Sequence, residues 1–147
     1  METKTYNQDY VTSFSKQLGE PNWLTDLRLQ ALAKSEDLPM PKPDKTKIDK
    51  WNFTSFKEHT VTSEKLNSLN DLHEDVKALI DIESANNNLY VQLNNTAAYT
   101  TLSNELKEKG VILADIHTAA SEHSELVQKY FMKDGVKVDE HRLTALH

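Results

Sequence analysis

A chain of 147 residues without cysteine suits one domain, and excludes disulfides, thiolate metal sites and cysteine nucleophiles. Seventeen basic against 23 acidic residues leave a net charge of −6, which weighs against nucleic-acid binding, because affinity for phosphates comes from neutralising them. No apolar run approaches the ~20 residues of a membrane span, and the amino-terminal METKTYNQDY lacks the apolar core of a secretory signal; no membrane partner and a cytoplasmic location are expected.

Residues 6–18 read as a first helix, with Tyr6, Tyr10, Phe14 and Leu18 four residues apart and Val11 widening the stripe. That aromatic face either packs on the next helix or docks a partner. Gly19-Glu20-Pro21 stops one helix and starts another: Gly at C′ accepts a left-handed conformation, and Pro at N1 gives up an amide that no carbonyl needs. Trp23, Leu24, Leu27, Ala31 and Leu32 then recur at helical spacing, so the first two helices form a hairpin.

Residues 35–50 are the irregular stretch. Leu38-Pro39-Met40-Pro41-Lys42-Pro43 forbids helix, and the spaced Leu38, Met40 and Ile48 predict a strap laid over the domain. Trp23 before it and Trp51 and Phe53 after it are expected to clamp it from dry positions. Arg28 is expected to hold strap carbonyls or an acidic neighbour. Phe53, Phe56 and Val61 begin a short extended segment.

Leu72, Val76, Leu79 and Ile80 predict a helix over 72–80 capped by Asn70 or Asp71, with Asn86-Asn87-Asn88 ending the region. The period then changes to two: Leu89, Val91 and Leu93 face one way in a strand, Asn94-Asn95 turns, and 97–102 returns with Val91 near Ala98. A helical turn over 105–109 closes at Gly110. Val111 to Ile116 is expected as a third, more buried strand, followed by helical pieces at 118–120 and 124–131, the latter with Leu126, Val127, Tyr130 and Phe131 on its apolar face.

Candidate chemistry is sparse. His73-Glu74 begins a zinc-protease helix motif, but Lys77 stands where the second histidine belongs. His117 and His123 are not one helical turn apart, and His141 and His147 fall in a tail expected to fray. The pairs Glu74/Asp75 and Asp81/Glu83 read as solvated charge, and no nucleophile elbow or phosphate loop is present. No catalytic residue, metal ligand or cofactor-binding residue is assigned.

Pro21-x-Trp23, Arg28 and Ala31, Leu38-Pro39-x-Pro41 and Trp51-x-Phe53-Thr54 together resemble the amino-terminal region of the SufB/SufD family, scaffold components of the machinery that assembles iron–sulfur clusters. A second match lies in Asn94-Asn95, Lys109-Gly110-Val111-Ile112 and His123-Ser124-Glu125-Leu126-Val127-Gln128-Lys129-Tyr130; the family usually has glycine in the hairpin turn where Asn95 stands. The elements read along the chain predict an α+β fold: an amino-terminal helical hairpin, a Pro-rich strap, and a small β-sheet with a packed carboxyl-terminal helix. The resemblance implies a domain over residues 1–135 and a tail over 136–147 leading to a β-helical core that is absent. The expected function is a non-catalytic part of a SufD-like component, working with a SufB-like subunit and the Suf ATPase. The family's cluster-handling residues lie in that core, so no cofactor is expected in this stretch. Pro21, Trp23, Arg28, Pro39, Pro41, Trp51 and Phe53 become candidate structural or interaction anchors. The rival expectation is a stand-alone adaptor that binds a peptide or partner helix through Tyr6, Tyr10 and Phe14.

Overall fold

The computed structural model describes residues 3–57, 65–81, 88–94 and 96–147. In chain order these form β1 (Thr3–Thr5), α1 (Gln8–Gln17), α2 (Asn22–Ser35), β2 (Ser55–Lys57), a 3₁₀ turn (Leu69–Asp71) and α3 (Glu74–Lys77). They continue with β3 (Asn88–Leu93), β4 (Thr96–Leu102), α4 (Asn104–Glu108), α5 (Ile116–Glu122), α6 (Ser124–Tyr130) and α7 (Arg142–Leu146). The fold is α+β, with two separate two-stranded antiparallel sheets. The chain divides into two compact units, Met1–Glu58 with Ile116–His147, and His59–Asp115.

In the first unit α2 packs against α1 on one side and α7 on another. Val11, Leu24, Ala31, Ile48, Ala120 and Ala145 are buried there. Alanine at the helix contacts lets the backbones approach closely, and each removes little side-chain entropy. α1 starts at Asn7, whose side chain accepts from Tyr10 N–H at 2.8 Å. It ends where Gly19 takes φ +65°: Gly19 N–H bonds the Lys16 carbonyl at 3.2 Å and Glu20 N–H reaches back to Ser15 at 3.0 Å. That paired closure satisfies carbonyls the helix end would otherwise leave bare. Pro21 is extended (φ −65°, ψ 149°) and caps α2; it stands one place before the expected N1 position, and its carbonyl accepts from Leu24.

β1 was not legible in the sequence; it pairs with β2 in the register Thr3↔Lys57, Lys4↔Phe56, Thr5↔Ser55. The strap expected over 35–50 is irregular, with Ile48 buried and Leu38, Met40 and Pro41 half-buried. It is pinned where Arg142 N–H bonds the Pro39 carbonyl at 2.9 Å. The final residues, expected to fray, form α7, because His141 and Thr144 cap each other: His141 N–H to Thr144 Oγ1 at 3.1 Å, Thr144 N–H to His141 Nδ1 at 3.2 Å.

The second unit is built from shorter pieces. The helix expected over 72–80 contracts to Glu74–Lys77 behind the 3₁₀ turn, and the caps are His73 and Ser68 in place of Asn70 and Asp71. Asp71 still takes part, accepting from Ser68 N–H at 3.0 Å. The hairpin lies where the period-two pattern puts it, with Leu93↔Thr96 flanking the turn and Asn94 at φ +56°. Val91 pairs with Tyr99 and Gln92 with Ala97, leaving Ala98 as the extra residue of a bulge. Ala98 is buried, and its carbonyl accepts from Leu66 N–H at 2.8 Å.

The third strand expected at Val111–Ile116 does not form; 111–115 is irregular, and Val111, Ile112, Leu113 and Ile116 are exposed. The reason is local. Gly110, at φ +80°, closes α4 as Gly19 closes α1, and Val111 N–H is committed to the Leu106 carbonyl at 3.0 Å. An amide used to finish a helix cannot begin a ladder. The expectations for Val61, Asn86-Asn87 and Asn95 lie outside the described residues.

Candidate functional site

The densest polar arrangement in the first unit centres on Glu20, which no sequence pattern singles out. The α1 closure places Glu20 between the two hairpin helices, and its side chain is fully buried. Arg28, two turns into α2, donates Nε to Oε2 at 2.8 Å and Nη2 to Oε1 at 2.7 Å, a planar two-point pairing. Ser15, 2% exposed on α1, donates its hydroxyl to Oε2 at 2.8 Å. His117, near the start of α5, brings Nδ1 to 3.1 Å from Oε1. Burial alone would push the Glu20 carboxyl up; Arg28, Ser15 and the charge of His117 outweigh it and hold the group below its ordinary value.

These residue types can form a hydrolytic triad, but the geometry is wrong for one. Ser15 donates to the carboxylate and not to the imidazole, and it is buried from any substrate. A carboxylate with lowered pKa and both oxygens engaged is a poor proton donor or acceptor near neutrality. What the cluster does is tie α1, α2 and α5 together through one charge. Glu20 lies outside α2, so helical spacing does not relate it to Arg28 eight positions on, and only Gly19-Glu20-Pro21 hinted at a special place.

A cavity of about 270 Å³ lies beside it, lined among others by Tyr10, Phe14, Leu27, Ala31, Phe131 and Ala145. The aromatic face expected as a packing or docking stripe turns toward β2. Phe56 lies tilted against Tyr6 at 4.8 Å and edge-on to Tyr10 at 5.3 Å between ring centroids, and Arg28 lies 5.9 Å over Phe14.

The seven anchors read from the sequence do not converge on one site. Pro21 stands at the start of α2, and Arg28 belongs to the Glu20 cluster, taking the acidic neighbour and not strap carbonyls. Trp23 is half-buried on α2 and donates Nε1 to Ser124 Oγ at 2.6 Å, joining α2 to α6. Pro39 is held through its carbonyl by α7, and Pro41 is half-buried. Trp51 corrects the expectation of a dry clamp: it is 59% exposed, its ring tilted against Phe53 at 6.0 Å. Its neighbour Ile48 fills the buried position, so the indole is left outside. Among the described residues no group of three His, Asp or Glu side chains is placed to hold a metal ion, and no helix is long and apolar enough to cross a membrane.

No family model matches the chain, and no solved structure does. Curated relatives do. The iron–sulfur cluster assembly protein SufD of Bacillus subtilis is 66% identical over 141 residues, covering 96% of this chain and 32% of that protein. An iron–sulfur cluster assembly SufBD family protein of Staphylococcus epidermidis is 30% identical over 133 residues, 84% of this chain and 28% of that one. Another, from Pyrococcus horikoshii, is 27% identical over 153 residues, 99% of this chain and 34% of the relative. The chain spans about a third of the length of the relatives it matches. By sequence, the chain is SufD-like, similar to part of SufD and of SufBD family proteins.

Proposed function

We propose that the chain is the amino-terminal, non-catalytic part of a SufD-like component of the iron–sulfur cluster assembly scaffold. The observation that carries this is the 66% identity to SufD of B. subtilis along 96% of the chain. The Glu20 cluster supports it: the buried charged group with most polar partners ties helices together and is closed to substrate. In this reading residues 1–135 are a packing or docking domain and 136–147 lead toward the remaining two-thirds of the protein. A SufB-like subunit and the Suf ATPase are the partners of the whole protein, and the iron–sulfur cluster is its cargo, handled outside this stretch without a cofactor here. The location is cytoplasmic. The adaptor alternative needs a free aromatic face, whereas Tyr6 and Tyr10 already lie against Phe56.

The test is a chimera in which this chain replaces the matching segment of B. subtilis SufD in cells depleted of their own copy. Restored iron–sulfur enzyme activity and retained association with the SufB partner support the reading. A stable chimera that associates with no scaffold subunit overturns it. Incubated with iron and sulfide, the isolated chain is expected to stay colourless; stoichiometric iron would refute the absence of a cofactor.

A further inference from the structure

The two most exposed large hydrophobic side chains among the described residues carry opposite electrostatic surroundings. Leu79 is 86% exposed and Trp51 59%. Residues 42–57 hold five lysines and two aspartates, net +3, so the rest of the chain carries −9. Lys42, Lys45, Lys47, Lys50 and Lys57 all point to solvent. Residues 69–81 hold four acidic side chains and one lysine, net −3, and Glu74 and Asp75 side chains are 84% and 92% exposed.

Trp51 is presented on a formed turn. Its N–H bonds the Ile48 carbonyl at 2.9 Å, and Ile48 is buried. Asn52 Oδ1 accepts from Thr54 and Ser55 N–H at 3.2 and 3.1 Å, while Nδ2 donates to the Ser55 carbonyl at 2.8 Å. A turn whose backbone is held this way loses little freedom when its indole is covered, which favours an interface anchor.

We propose that this basic aromatic turn is a self-association surface, in which Trp51 and its lysines dock on the acidic turn around Leu79 of a second copy of this chain. Each copy carries both halves, so one chain supplies the basic turn and the other the acidic turn. The charge complementarity selects the occupant: the −9 outside residues 42–57 attracts that basic stretch of another copy but repels an anionic bilayer or nucleic acid. The proposal is independent of the family reading.

Sedimentation velocity of the purified chain, from micromolar to near-millimolar concentration, tests it. A monomer–dimer equilibrium is expected, weakened about tenfold or more between low salt and about 0.5 M salt. Trp51→Ala weakens it by about tenfold or more while leaving the circular dichroism unchanged. The pairs Lys47→Glu/Lys50→Glu and Glu74→Lys/Asp75→Lys each sediment as monomers, yet associate when mixed, since the reversed charges again oppose. A wild-type chain that stays monomeric, a Trp51→Ala chain that dimerises normally, or a mixture that fails to associate overturns it. So does a monomer that co-floats with phosphatidylglycerol vesicles.

Discussion

Gly19 and Gly110 end their helices by the same hydrogen-bond pattern at nearly the same backbone angle, yet the segments beyond them have opposite fates. After Gly19 the chain meets Glu20-Pro21, starts α2 at once, and buries the Glu20 carboxylate among Ser15, Arg28 and His117. After Gly110 it meets Val111-Ile112-Leu113, which stay exposed. A polar residue is buried after one closure and aliphatic residues are exposed after the other, the reverse of what hydrophobicity alone would assign. The lesson is that helix closure is a local decision, while burial depends on what arrives from elsewhere: Arg28 and His117 reach Glu20, while Val111 stays exposed.

The sharpest test of that difference is Glu20→Ala. It strands the Arg28 guanidinium in a partly buried position and removes the link among three helices, so a loss of about 3–5 kcal/mol in urea melts is expected. A loss under ~1 kcal/mol would show that Glu20 behaves as an ordinary surface charge. The same group has a pH signature. Because its folded pKa lies below the ordinary carboxyl value near 4.5, its stabilisation is complete above that value. It disappears as pH falls through the lower folded value. Wild-type stability should therefore fall more steeply than that of Glu20→Gln on acidification below about pH 4.5; parallel curves would refute the assignment.

Next in size is the contrast between the tryptophans. Trp23→Ala removes a half-buried ring and its bond to Ser124, and should cost about 3 kcal/mol. Trp51→Ala should cost less than ~1 kcal/mol, because most of the ring is already in water. Equal midpoints for the two variants would restore the expectation that both belong to the core.

Gly19→Ala and Gly110→Ala probe the shared closure itself. Neither position has an atom within 4 Å of an added Cβ, so the cost is conformational alone. Both variants should lose about 1–2 kcal/mol, and by similar amounts. A much larger loss at Gly19 would mean that the Glu20 cluster depends on the turn geometry. The smallest effect is expected at Ile112→Ser, within about 0.5 kcal/mol of wild type; a larger loss would place that segment in a core.

The hairpin of α1 and α2, the β3–β4 pair and the ends of α1 and α4 were legible because each is settled within a few residues. Tyr10 N–H finds Asn7, Glu20 N–H finds Ser15, and Leu93 faces Thr96 across its turn. β1 was not legible, because three residues carry too little period and their partner lies at Ser55–Lys57. α7 hid behind a reading of the tail as frayed; its caps are a histidine and a threonine, while its packing partner α2 lies far back in the sequence. The same distance limit applied to the candidate site. Arg28 could be expected to find an acidic partner but not to choose Glu20, and Trp23 could be placed on an apolar stripe but not beside Ser124, 101 residues away.

The sequence by itself determined where helices stop, where the strap interrupts them, where the pattern changes to strands, and which family the motifs resemble. Those decisions rest on backbone angles that glycine and proline permit or forbid, and on hydrogen bonds that close within one turn. Only the tertiary structure decided that Glu20 is buried and Trp51 is not, and that Val111 to Leu113 stays exposed. The physical reason is that burial and ion pairing are set by solvent exclusion at a point in space. The residues that create that point at Glu20 come from α1, α2 and α5, which no local pattern brings together.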